Sequence, residues 1–238
     1  MTTDTFSGED THAAFNTARN EYGFSDVRYV VEYQEGETVT TAMDLTDKPG
    51  SAPVVVDLRG DVAYTAGDPI AFDINNSHNN LYIDTGGFLM AGNGSQSVPD
   101  ACFFISRGSD SNNCAINSLM GWGMVVGDWK SAPLYNLGGE VWKFGIRLYN
   151  TFSSGTAAAM NLVNNVDGLS SVHGTAQGGV STASLYLKCD FRGGPSDHAL
   201  YFEPTRNLKF IDPYFTAGSE DFIHIDASNE NGGGPHIF

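Results

Sequence analysis

Residues 184–203, SLYLKCDFRGGPSDHALYFE, and residues 207–226, NLKFIDPYFTAGSEDFIHID, are the stretch on which the fold turns. A shift of 23 residues lays Leu185 on Leu208, Leu187 on Phe210, Phe191 on Tyr214, Leu200 on Ile223 and Phe202 on Ile225. The same shift lays Asp197 on Glu220 and Glu203 on Asp226. Apolar residues two apart mark a strand with one buried face. Gly, Pro, Ser and Asp between them are turn chemistry. Looser copies lie upstream. Met160 and Leu162 precede Leu185 and Leu187 by 25 residues, and Asn79–Ile83 is similar to Asn112–Ile116 at an offset of 33.

The period is informative because one turn of a parallel β-helix takes roughly 20–30 residues, with equivalent positions stacked ~4.8 Å apart. Inward residues then form apolar columns, while polar turns tolerate insertions. The expected fold is therefore all-β: a right-handed parallel β-helix of about six to seven coils, with a small N-terminal α/β attachment segment. The alternative is an antiparallel β-sandwich, in which short strands recur every ~8–12 residues.

Outward from the repeat, short strands are expected at Val54–Leu58, Ile70–Ile74, Leu81–Ile83, Cys102–Ile105, Cys114–Ile116 and Met124–Val126. More follow at Lys143–Leu148, Met160–Leu162, Leu185–Leu187, Leu200–Phe202, Leu208–Phe210 and Phe222–Ile225. Ala157–Val166 has some helical character. The texture differs before residue 50. There Glu9–Tyr22 reads as a helix, with Thr11 as its cap and Ala14, Phe15, Ala18 and Tyr22 at helical spacing. Val27–Tyr33 reads as a strand, and Asp47-Lys48-Pro49-Gly50 as a closing turn. The expected division is 1–50, an attachment segment, 51–228, the repeat domain, and 229–238, a C-terminal tail.

The chain of 238 residues carries 12 Lys and Arg against 28 Asp and Glu, a net charge of −16. Phosphate recognition needs clustered cations, so nucleic acid and anionic membranes are disfavoured as partners. Residues 1–50 hold 10 acidic and 3 basic side chains, a local concentration of that charge. No run approaches the ~18 apolar residues of a membrane span. The opening MTTDTFSGEDTHAAF reads as no signal peptide. Cys102, Cys114 and Cys189 match no zinc spacing and fit buried thiols of a protein made in a reducing cytosol.

Ala101–Gly108 (ACFFISRG), Asn112–Asn117 (NNCAIN) and Leu208–Asp212 (LKFID) resemble coils of phage tailspikes and related β-helical virion proteins. The resemblance covers about residues 53–227 and is one of texture and period. It implies a homotrimer that attaches through its N-terminal segment to a phage capsid or tail protein and sits on the virion surface. Such proteins serve as polysaccharide-cleaving spikes, as fibres or as head decorations. Cleaving spikes are usually much longer, so the leading reading is a non-enzymatic head decoration (cement) protein or fibre. The alternatives are a polysaccharide depolymerase and a carbohydrate-binding module, with a host surface glycan as partner.

The candidate residues are few. Glu203 with Asp226, and Asp197 with Glu220, would sit one coil apart, spaced for glycoside hydrolysis or for holding Ca²⁺. Stacked like charges normally splay into water, so solvated turn carboxylates are the simpler reading. No catalytic residue, metal ligand or cofactor is assigned. Trp122, Trp129, Tyr135, Trp142 and Tyr149 crowd the middle of the chain. They would fill the interior, form a trimer interface or stack on sugar rings. Tyr186, Tyr201 and Tyr214 are expected to face outward.

Overall fold

The computed structural model describes residues 2–7, 10–24, 27–46, 54–65, 70–75, 81–93, 101–106, 115–121, 123–129, 132–137, 140–144, 146–149, 158–162, 185–193, 198–202, 209–217 and 223–225. Among these residues one helix, α1 (Thr11–Tyr22), follows β1 (Thr2–Phe6). The chain then continues as β2 (Val27–Glu32), β3 (Thr38–Val39), β4 (Met43–Asp44), β5 (Val54–Tyr64), β6 (Ile70–Asn75), β7 (Leu81–Asn93) and β8 (Ala101–Ser106). Next come β9 (Ala115–Met120), β10 (Met124–Asp128), β11 (Ala132–Leu137), β12 (Glu140–Phe144), β13 (Arg147–Tyr149) and β14 (Ala158–Leu162). The last are β15 (Leu185–Leu187), β16 (Asp190–Gly193), β17 (His198–Phe202), β18 (Lys209–Ile211), β19 (Tyr214–Ala217) and β20 (Ile223–Ile225).

The protein is mostly β; among the described residues, parallel strands form two sheets of 13 and 7 strands. The smaller sheet runs β20-β17-β14-β11-β8-β6-β4, and each neighbouring pair in it is parallel. The larger sheet branches at β7. The first part of β7 pairs with β9, leading on to β12, β15 and β18, while its second part pairs with β10, leading on to β13, β16 and β19. Parallel pairing throughout the described ladders excludes the antiparallel sandwich there. Consecutive parallel strands need a crossover rather than a tight hairpin, so partners lie far apart in sequence.

Registers turn the local alternation into apolar columns. Met43, Phe72, Phe103, Leu134, Met160, Leu200 and Ile223 are successive register partners across the whole smaller sheet. Met43, Phe72, Phe103 and Leu134 are fully buried, and the Phe72 and Phe103 rings stack at 4.8 Å. Val62, Met90, Val125, Leu148, Phe191 and Phe215 form a second column, closed by the Phe191–Phe215 stack at 5.5 Å. Each large apolar side chain buried this way contributes about 1.5–3 kcal/mol.

The long β5 and β7 bend rather than run straight. Their register slips between Asp57 and Arg59, a bulge that increases the local twist. Gly60 follows at φ +91°, and a Cβ there would lie 2.7 Å from the Tyr33 carbonyl oxygen. Only glycine takes this corner without displacing the backbone.

Several expectations change. The helix begins at Thr11, with Asp10 as the cap accepting from the Ala13 amide at 3.1 Å. A carboxylate oxygen serves there, and Thr11 is buried in the first turn. Residues 143–148 form two strands, because the chain turns inward at the buried Ile146 and the Arg147 amide donates to the Gly123 carbonyl at 3.0 Å. Residues 158–162 are strand, paired on both sides within the smaller sheet, and not helix. Met160 and Leu162 pair with Leu200 and Phe202, so the 25-residue offset to Leu185 is not a stacking relation. Leu81 pairs with Ile116, two residues beyond the expected offset. The 23-residue register holds for β17 with β20, but β15 with β18 and β16 with β19 run at 24, from Leu185 to Lys209 and from Phe191 to Phe215. Cys114, Leu208 and the Asp47–Gly50 turn lie outside the described residues.

Candidate functional site

A dense polar site is built where α1 lies along β4 and residues 40–42 that lead into it. Among the described residues β4 has a partner on one side only, β6. Its other edge would present bare backbone groups. The helix supplies side chains at 12, 16 and 19, one face of a 3.6-residue period. The Asn16 amide donates to the Ala42 carbonyl at 2.7 Å and accepts from the Asp44 amide at 2.8 Å. Arg19 donates to the Thr46 carbonyl and to the Asp44 carboxylate, both at 2.7 Å. Asp10 accepts from the Thr41 hydroxyl at 3.0 Å. These bonds take the place of the missing neighbouring strand. Phe15, fully buried, packs edge-on to Tyr29 at 5.2 Å and anchors the helix below them.

His12 is the centre of this cap and is fully buried. Its Nδ1 lies 2.8 Å from the Thr41 carbonyl oxygen, an acceptor, so Nδ1 carries the proton and donates. Nε2 then accepts from the Tyr33 hydroxyl at 2.7 Å. Burial lowers the imidazole to about 4, against the raising effect of the Thr41 carbonyl, Asp10 and Glu37. Burial likewise holds the Tyr33 phenol well above its ordinary value, reinforced by Cys102, Glu37 and Asp10. Burial would raise Asp10, but bonds from Ala13, Thr41 and Thr40 and the nearby His12 outweigh it, so its carboxyl sits below the usual range. Glu37, also buried, accepts from the amides of Thr11 and Gln34 at 3.0 and 2.9 Å. With both ring nitrogens bonded and no exposed surface, His12 ties α1 to the strand edge. It has no access to a substrate.

A second cluster lies on β2 and β5. Arg28 pairs with Val55 and Tyr29 with Val56, which brings Arg28, Asp57 and Arg59 together. Asp57 accepts from Arg28 and, at 2.6 and 3.2 Å, from Arg59. Burial would raise the Asp57 carboxyl, but the bonds and charges of Arg59 and Arg28 hold it below its ordinary value. Its stabilising contribution is therefore present above the ordinary carboxylate range and lost as pH falls through the lowered value. Asp57→Asn is expected to lower stability at pH 7 by about 1 kcal/mol, since water screens the two arginines. Urea midpoints should differ at pH 7, and the difference should shrink as pH falls below the ordinary carboxylate range. Equal midpoints at pH 7 would rule this out.

A third feature lies on the outward side of β13, β16 and β19. Leu148 and Phe191 point inward, so Arg147, Tyr149 and Arg192 point out. The Arg192 guanidinium stands over the Tyr149 ring at 4.6 Å and over the Tyr214 ring at 5.2 Å. Tyr214 is 56% exposed. Tyr and Arg in this arrangement offer a broad, weakly hydrated contact surface.

The expected site residues are distributed as follows. Trp129 is in the interior, fully buried against Tyr64, which removes it from any outward contact. Tyr149 is half-buried beneath Arg192, and Tyr214 faces outward as expected. Tyr135 lies in β11 opposite Phe104 and Asn161, and Trp142 in β12 opposite Leu185. Tyr186 lies in β15 opposite Phe210 of β18. Trp122, Asp197, Glu203, Glu220 and Asp226 lie outside the described residues. Cys102 and Cys189 are buried, and the Cys102 sulfur contacts that of Met90 at 3.4 Å. Among the described residues no helix is long and apolar enough to cross a membrane. The cap residues His12, Asn16 and Arg19 escaped the sequence reading because only the apolar helical period was followed. Their polar spacing was the available signal.

Comparison of the chain with family models, with curated proteins and with solved structures finds no match.

Proposed function

We propose that the chain is a right-handed parallel β-helix acting as a non-enzymatic virion structural protein, a trimeric head decoration (cement) protein or fibre on the virion surface. The single observation that carries this reading is the stack of parallel ladders with apolar columns, its first edge covered by α1. A stack of this kind has long, regular side faces suited to lying against copies of itself. The outward Tyr149–Arg192–Tyr214 group supports self-association, because exposed Tyr and Arg dominate the energetics of protein contacts. The strongly acidic N-terminal region suits docking onto a more basic capsid or tail surface, with salt sensitivity as its signature.

The expected solution species is a homotrimer. Sedimentation equilibrium should give three chains per particle, and Tyr214→Ala should raise the dissociation constant by about tenfold or more. A stable monomer at micromolar concentration would overturn the reading. Electron microscopy of particles carrying and lacking the protein tests the attachment.

A second reading keeps the polysaccharide depolymerase. Its support is the 23-residue register at Phe202 and Ile225, each followed in sequence by one carboxylate of the Glu203–Asp226 pair. Replacing both by Ala should then abolish polysaccharide cleavage, whereas unchanged cleavage removes this reading. A glycan array tests the carbohydrate-binding alternative.

A further inference from the structure

We propose that α1 is an acid-operated latch, closed over the free edge of β4 while His12 is neutral and released when His12 takes up a second proton. The inference rests on the cap geometry and is independent of the virion reading. The neutral ring fits its site with one donor and one acceptor. Nδ1 donates to the Thr41 carbonyl, and Nε2 accepts from Tyr33. A proton on Nε2 removes that acceptor and sets two donors face to face unless the Tyr33 hydroxyl turns away. It also places a full charge in a site with no exposed surface.

Among the described residues, the groups around the ring do not provide a counter-ion by contact. Asp10 precedes the helix and is occupied by Ala13, Thr40 and Thr41. Glu37, in the turn before β3, is occupied by the amides of Thr11 and Gln34. From β5 and β6 the ring meets Tyr64 at 6.4 Å and Phe72 at 5.0 Å. Cys102 of β8 acts on Tyr33. Asp10 and Glu37 favour the charged ring at longer range, and burial outweighs them. The folded value of about 4 lies below the ordinary 6.5, so His12 stabilises the closed state above pH 6.5, and this contribution is lost as pH falls from 6.5 to 4. Opening frees the carbonyls of Thr41, Ala42 and Thr46 and the amide of Asp44, a row of groups able to pair with an incoming strand.

The test is hydrogen exchange on the full chain, corrected for intrinsic rates, with imidazole ¹⁵N NMR of His12. Between pH 7 and pH 5 the opening equilibrium of the α1 amides should rise roughly 10- to 20-fold by linkage, while the amides of Phe72 and Phe103 stay unchanged. His12→Gln keeps one donor and one acceptor without the titration, so its α1 amides should change less than about threefold. The His12 signal should report the neutral Nδ1–H form down to about pH 5, an observation that needs no variant. An equal acid response in His12→Gln, or a folded His12 titrating near its ordinary value, would overturn the proposal.

Discussion

Gly127→Val is expected to remove cooperative folding. Gly127 stands in β10 directly opposite Gly92 of β7, at φ +102°. A Cβ there would lie 2.2 Å from the Gly92 carbonyl oxygen and 2.9 Å from its nitrogen. Both are backbone atoms held in the parallel ladder, so no side-chain rotation relieves the contact. The left-handed backbone adds about 1–3 kcal/mol for a residue other than glycine. Overpacking adds about 1–3 kcal/mol more. The sum is a large part of a typical total stability of about 5–15 kcal/mol. Urea titration followed by circular dichroism should show a strongly lowered midpoint or no transition, and an unchanged midpoint would contradict the close approach of β7 and β10.

Trp129→Ala is expected to cost about 3–5 kcal/mol, the range for emptying a large aromatic site. Trp129 is fully buried, stacks on Tyr64 at 6.1 Å, and donates from Nε1 to the Val126 carbonyl at 3.0 Å. Its ring lies over bare backbone, since a Cβ on Gly92 would come within 2.4 Å of the indole. The two positions should therefore couple. Gly92→Ala alone should destabilise by about 1–3 kcal/mol, and much less once Trp129 is Ala. A double-mutant cycle by chemical denaturation measures this. Additive costs would mean that the indole and Gly92 do not share the space.

Strand positions were legible because alternation is local. Val54–Leu58 and Ile70–Ile74 place apolar residues two apart within five residues, Cys102–Ile105 is a short apolar run, and each forms a strand. The inward residues of the two described columns follow from the same pattern. Register was less legible. The match of Leu185 with Leu208 is one residue short of the observed pairing with Lys209. The cause is a corner: Lys188 and Asp212, 24 residues apart, both take positive φ, at 51° and 52°. The Lys188 amide donates to the Ile211 carbonyl at 2.9 Å, and the Tyr214 amide to the Cys189 carbonyl at 2.9 Å, which fixes the 24-residue step. Lysine at a left-handed position leaves no mark in the sequence, unlike Gly or Asn. The cap was illegible for a related reason. His12, Asn16 and Arg19 read as ordinary helix surface until β4 is placed beside them.

The sequence by itself determined the β-rich class, the acidic charge and the places where strands form. These depend on residues a few positions apart and on bulk composition. The tertiary structure decided which strands are neighbours, as with Trp142 and Leu185, separated by more than 40 residues. It also decided that Trp129 belongs to the interior, that Tyr214 faces out, and that α1 closes an edge around a neutral histidine. Those outcomes depend on contacts between distant segments, where a one-residue slip reverses every side chain and where burial, rather than residue type, sets the charge of His12.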